Sequence, residues 1–160
     1  MDDAVRSSKM QEHYAAVQEA ERLSAGIGEL ERVRTQDVLK RYLPKAPARV
    51  LDVGGAAGVH ALWLARDGYE VHLSDPVAKH VEQAKEASRG QAQFPIASFV
   101  VGDARKIEQA DAASDGVLLL GPLYHLTERA DRLNALREAH RVLRPGGRVF
   151  AAAISRLFPD

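Results

Sequence analysis

Three carboxylates and a group of glycines are the residues of this sequence best suited to chemistry. Asp52 stands just before Val53-Gly54-Gly55-Ala56-Ala57-Gly58, Asp75 closes the next apolar run, and Asp103 follows the one after, in Gly102-Asp103-Ala104. Glycines relieve the steric limits on a turn and let a ligand approach the backbone closely. A carboxylate at Asp75 can accept hydrogen bonds from both hydroxyls of a ribose. One at Asp103 can accept from the amino group of adenine while a neighbouring backbone N–H meets a ring nitrogen. Taken singly, each has a plainer account: a tight turn, an N-cap for a helix opening at Pro76, a loop aspartate. Their order and spacing together point to an adenosine-containing ligand.

The glycine spacing narrows the choice. A dinucleotide needs Gly-x-Gly-x-x-Gly, so that its pyrophosphate sits on a helix N-terminus. Glycines at 54, 55 and 58 satisfy no placement of that pattern. Asp52 puts negative charge beside the turn, which opposes a pyrophosphate and suits a ligand carrying a sulfonium and an α-ammonium. His125, in Leu123-Tyr124-His125-Leu126, is the candidate general base, with loop ordering or packing as its structural alternative. His13, His60, His72, His80 and His140 lack the spacing of metal ligands, and no cysteine is present, so no metal is expected.

The elements that must position these residues follow from hydrophobic periodicity. Residues 3–24 and 28–43 read as two helices; Leu30, Val33, Leu39 and Tyr42 form the stripe of the second, so one face should pack. From Arg49 the pattern changes to short apolar runs alternating with amphipathic helices. Strands are expected at Val50–Val53, Glu70–Ser74, Ile96–Val101, Gly116–Leu120 and Arg148–Ile154, the last after a Pro145-Gly146-Gly147 turn. Helices are expected at Val59–Asp67 and from Pro76 to about Arg89. A third, capped by Thr127, should carry Leu133, Leu136, His140 and Leu143. This alternation implies a Rossmann-like, doubly wound, mainly parallel α/β sheet of about five strands preceded by two helices. Such a sheet binds ligands at the carboxyl ends of its strands. All the residues singled out above follow those ends.

Composition agrees with a small-molecule partner. The 160 residues suit one domain, 1–47 as a helical cap and 48–160 as the core. Basic and acidic residues number 22 each, which gives no bulk attraction to nucleic acid or an anionic membrane. The longest apolar run is too short to span a bilayer, and the lack of cysteine suits the cytoplasm.

The segments VLDVGGAAGVHALWLARDGYEVHLSDP, VVGDARKI, SDGVLLLGPLYHLTERADR and LREAHRVLRPGGRVF resemble, in order, those of the class I S-adenosylmethionine-dependent methyltransferases. The resemblance covers roughly residues 48–154. It implies S-adenosylmethionine as cofactor and methyl transfer to an oxygen or nitrogen of a small molecule. By that resemblance Gly54, Gly55 and Gly58 lie against the methionine part, Asp75 meets the ribose, and Asp103 with Ala104 meets the adenine. Leu120 and Gly121 border the methionine amino group and the sulfonium. In similar enzymes an N-terminal segment covers the site, which makes Tyr14 and Arg34 candidates to reach the ligand, with a surface or packing role the favoured alternative for each. One position departs: Ala56 stands where the family usually has glycine.

The family fold usually continues beyond the fifth strand, whereas this sequence ends at Asp160. Three accounts follow: a fragment of a longer protein, which fits best; a homodimer formed through the fifth-strand edge; or a reduced binding module without catalysis. An NAD-dependent Rossmann enzyme ranks third among functions.

Overall fold

The computed structural model describes residues 26–154. The predicted helix over 3–24, with His13 and Tyr14, lies outside them. The chain divides into two compact units, Met1–Arg41 and Tyr42–Asp160, where the sequence placed the change at residue 47. In the first unit, α1 (Ile27–Tyr42) carries Glu29 in its first turn and Lys40 and Arg41 in its last, complementing the helix dipole. Its apolar stripe does not behave as predicted. Leu39 is buried, but Leu30 is 70% exposed and Val33 42%.

The second unit runs β1 (Arg49–Val53), α2 (Val59–Arg66), β2 (Glu70–Asp75), α3 (Ala78–Arg89), β3 (Ser98–Val101), β4 (Ser114–Leu119), α4 (Pro122–His125), α5 (Arg129–Val142) and β5 (Leu143–Ala151). The strands form one sheet in the order β3-β2-β1-β4-β5, and every pairing is parallel. The order reverses between β1 and β4. This is the switch point at which the carboxyl ends of an open sheet leave a crevice.

Alternation along the strands divides the core into two layers. Leu51 and Val53 of β1 join Val117 and Leu119 of β4 against Ala135, Ala139 and Val142 of α5. Asp52 points the other way. It pairs in register with Leu73, whose methyl group lies near Gly58 and Ala84 on the layer of α2 and α3. The buried apolar side chains on both sides supply the main stabilisation of such a fold.

The amino ends of the strands are held by polar contacts. Glu70 accepts from Arg49 Nη2 at 2.6 Å and meets His72 Nε2 at 2.8 Å, while His72 Nδ1 meets Ser98 Oγ at 2.6 Å. Asp115 accepts from the Arg49 N–H at 2.8 Å and from Arg144 Nη1 at 2.9 Å. Arg148 reaches the Tyr42 carbonyl and lies over the Tyr42 ring.

β3 and β4 are joined by a loop, residues 102–113, that is clamped to α5. Glu138 accepts from the Ile107 N–H at 2.8 Å, and Arg141 donates to the Ile107 and Gln109 carbonyls and to Asp111. Thr127 does not cap α5: the N-cap is Glu128, without a side-chain bond, and the Thr127 carbonyl instead accepts from Arg132. The Pro145-Gly146-Gly147 turn lies inside β5, as a register irregularity between the Leu143–Ser114 and Arg148–Gly116 pairings. Ile96 precedes β3 and is buried, its N–H donating to Ser88 Oγ at 2.9 Å.

Candidate functional site

Four strand ends bring the predicted residues to one edge of the sheet. Parallel register sets Val53 beside Ser74, and Asp75 beside Val101. The Gly102 N–H donates to the Asp75 carbonyl at 3.1 Å, so Asp75 and the Gly102-Asp103-Ala104 segment are neighbours. Gly121 follows β4 and lies against the Gly54 carbonyl.

The glycines of the turn have separate reasons. Gly54 has a φ of 73°, and a Cβ there would stand 2.7 Å from Pro122 Cγ. At Gly55 a Cβ would stand 2.7 Å from Asp52 Oδ2. Gly58, with φ 87°, faces Ala84 and Leu73, so close packing under α2 accounts for it. Gly121 has no comparable constraint: a Cβ there would meet nothing nearer than 3.6 Å. Ala56 adopts φ 47°, a left-handed conformation that costs an L-residue about 1–2 kcal/mol. The departure from glycine thus falls at a position whose backbone favours glycine. Its N–H donates to Asp75 Oδ2 at 2.9 Å, which holds the conformation.

The N–H groups of this turn are largely consumed. Those of Gly54 and Gly55 donate to the Ser74 carbonyl at 2.8 and 3.1 Å, and that of Gly58 to the Gly55 carbonyl at 2.9 Å. A pyrophosphate cradle needs free N–H groups at this place. The turn offers an acid instead. Asp52 is 3% exposed, and its Oδ2 has no hydrogen-bond partner among the described residues. Burial, and secondarily the charge of Asp75, push its carboxyl up to about 7, against a smaller pull from the Ala61 amide. A buried, orphaned acceptor beside a tight glycine turn fits a ligand with ammonium and sulfonium charge.

Asp75 is more fully engaged than the sequence suggested. Oδ1 accepts from the Val77 N–H at 2.9 Å and meets His80 Nδ1 at 3.0 Å, while Oδ2 takes the Ala56 N–H. Helix α3 opens at Ala78, two residues beyond Pro76. Asp75 thus supports both the turn and the start of α3, and each oxygen retains limited capacity for a ribose hydroxyl. Asp103 is gripped by Arg105, whose Nη2 lies 2.6 Å from Oδ2 and whose Nε lies 3.0 Å from Oδ1. These bonds hold the Asp103 carboxyl below the usual carboxylate range. Ala104 is buried in the core cluster.

Leu120 is half-buried just after β4. His125 ends α4 with an exposed ring, 4.9 Å from the Tyr124 ring centroid. It lies on the same segment as Gly121 and Pro122, beside the turn. Arg34 belongs to α1 in the first unit. Among the described residues no group of histidine and acidic side chains is arranged to hold a metal ion, and no helix is long and apolar enough to cross a membrane. Sequence reasoning missed Arg105, His80 and Pro122. Arg105 had a signal, two positions from Asp103; the other two act through tertiary contact.

Comparison with known proteins gives a consistent answer. Residues 50–147 match the family described as methyltransferase domain. The chain is 34% identical over 115 residues to a ubiquinone/menaquinone biosynthesis C-methyltransferase of Acidiphilium cryptum, covering 71% of this chain and 45% of that protein. It is 34% identical over 143 residues to an O-methyltransferase of Aspergillus nomiae, covering 88% and 55%. A crystal structure of a SAM-dependent methyltransferase from Methanosarcina mazei superposes with a TM-score of 0.64 at 27% identity, over 70% of this chain and 54% of that one. The chain spans about half the length of the curated relatives it matches. The match covers more than half of the chain, and the parallel sheet has the matching architecture: the chain belongs to the methyltransferase domain family.

Proposed function

We propose that this domain binds S-adenosylmethionine across the carboxyl ends of β1 to β4 and directs its methyl group to an oxygen or nitrogen of a small molecule. The observation that carries the reading is the buried, unpartnered Asp52 Oδ2 beneath a turn whose N–H groups are mostly spent. That combination favours a cationic ligand over a pyrophosphate. Bound there, S-adenosylmethionine supplies a methyl group already activated by the sulfonium.

The protein's part is largely placement. Asp75 accepts from the ribose hydroxyls through its remaining lone pairs, and Asp103 with the Ala104 backbone receives the adenine. The methionine portion lies against the backbone of Gly54, Gly55, Leu120 and Gly121, and its ammonium favours the ionised form of the buried Asp52 carboxyl. His125, exposed at the end of α4, takes the proton from a hydroxyl or amine acceptor as it attacks. The same reading assigns the protein to the cytoplasm, with neither nucleic acid nor membrane as partner. It leaves the outer edge of β5 for pairing with a second copy.

Calorimetry tests the binding half. S-adenosylhomocysteine is expected to bind the wild type, and Asp75→Ala to weaken it about 100-fold through lost ribose contacts and a loosened turn. Binding of NAD in place of S-adenosylhomocysteine would overturn the reading. For transfer, His125→Ala is expected to lower kcat about 100-fold at saturating acceptor. Unchanged turnover would remove His125 from the mechanism.

A further inference from the structure

The polar group least explained by this reading is Arg105. It lies two residues beyond Asp103 on the loop between β3 and β4, and its guanidinium bonds go to Asp103 and Asp131. Its side chain and that of Asp103 are each 43% exposed. Surface ion pairs of this kind add little to stability. Even so, its geometry is unusually complete. Nε lies 3.0 Å from Asp103 Oδ1 and 3.1 Å from Oδ2, Nη2 lies 2.6 Å from Oδ2, and the Arg105 backbone N–H donates to Oδ1 at 2.8 Å. The remaining arm, Nη1, reaches Asp131 Oδ2 at 3.0 Å in the first turn of α5. One guanidinium thus fixes the Asp103 carboxylate on two sides and is itself anchored to a helix.

Three consequences follow for a ligand that meets Asp103. The carboxylate plane is fixed before binding, so little side-chain freedom remains to be lost. The group is an acceptor only, because the paired cation favours its ionised form. Most of its lone-pair directions are occupied, which leaves a narrow opening for one further donor. A 6-amino purine supplies such a donor. A 6-oxo purine presents an acceptor to a fixed negative charge and is repelled.

We propose that Arg105 is a positioning residue that makes the site select adenine over hypoxanthine through Asp103. The inference rests on the cofactor reading above and adds to it the residue that sets purine selectivity.

The test is calorimetric binding of S-adenosylhomocysteine and its deaminated counterpart, S-inosylhomocysteine, to the whole chain. The wild type is expected to prefer the amino purine by about 30-fold or more, as sites built around a hydrogen bond do. Arg105→Ala should weaken S-adenosylhomocysteine about 10-fold while changing S-inosylhomocysteine less than about 3-fold. Arg105→Lys should restore part of the preference, since it returns the charge without the fork. Asp131→Asn keeps Arg105 but weakens its anchor, and should reduce the preference about 3-fold; it serves as the second variant if Arg105→Ala does not fold. A merely structural role predicts equal weakening of both ligands, and that result would overturn the inference while leaving the cofactor reading intact. Retention of the full preference in Arg105→Ala and Asp131→Asn would do the same. Failure of the wild type to bind S-adenosylhomocysteine would overturn the cofactor reading, and the inference with it.

Discussion

The two ends of the same parallel sheet are built on opposite terms. At the amino end Arg49, Glu70, His72 and Ser98 form a continuous chain of polar contacts across β1, β2 and β3, and Asp115 ties β4 to both neighbours. The Ser114 hydroxyl is the exception, buried without a partner among the described residues. At the carboxyl end Asp52 is buried with an orphaned oxygen, Ala56 holds a left-handed backbone, and Asp75 serves three partners with one carboxylate. Polar groups are matched where the sheet must only hold together. At the carboxyl end the orphaned Asp52 oxygen and the left-handed Ala56 backbone stand together, a combination that marks a candidate ligand site.

The largest expected effect that sharpens this contrast is at Asp52. Its folded-state carboxyl, at about 7, lies above its ordinary value of 3.8. The folded state therefore holds a proton that the unfolded state has already lost between these values. The corresponding stability is fully present below about pH 4 and disappears as pH rises through 7. Linkage places the loss at about 3 kcal/mol between pH 5 and pH 8. Urea unfolding of Asp52→Asn should show the wild-type-minus-variant difference shrinking or reversing by that amount as pH rises. A pH-independent difference would break the contrast.

Gly54→Ala comes next. It combines a positive φ with a clash against the Pro122 ring, and should destabilise by about 2 kcal/mol. S-adenosylhomocysteine affinity should fall with it, because the turn itself shifts. The smallest effect is at the other end. Glu70→Gln removes a carboxylate held low first by the His72 hydrogen bond and then by Arg49. As the pair is half-exposed, the cost should stay under about 1 kcal/mol and diminish in salt. Ligand affinity should be unchanged. A large loss of affinity here would mean that the two ends are not independent.

Much of this was legible in the sequence, for identifiable reasons. The strands β1 and β2 announced themselves through short segments rich in Val and Leu that end at glycine or aspartate, and the parallel order followed from their alternation with helices. Asp52, Asp75 and Asp103 were found because strand ends in such a sheet converge. Details that depend on partners elsewhere were not legible. Thr127 has the chemistry of a cap, but α5 begins two residues later and Arg132 takes its carbonyl. Local turn signals set Pro145-Gly146-Gly147 ahead of the fifth strand, but pairing of Leu143 with Ser114 is a tertiary event that draws the segment into β5. Nothing local reveals that Ala56 sits at a positive φ, since the Asp75 oxygen that holds it comes from another strand.

The clamped loop between β3 and β4 bears on the order in which the molecule assembles. Its bonds to α5 join residues separated by 26 to 34 positions, from Arg105–Asp131 to Ile107–Arg141. The Gly-rich turn, by contrast, is closed by Ser74 and Asp75, which lie on the very next strand. Short chain closures form early and long ones late, because the entropy of closing a loop must be overcome before its contacts form. The Gly-rich turn can therefore close once β1, α2 and β2 have met, whereas the loop carrying Asp103 is fixed only when α5 packs against it.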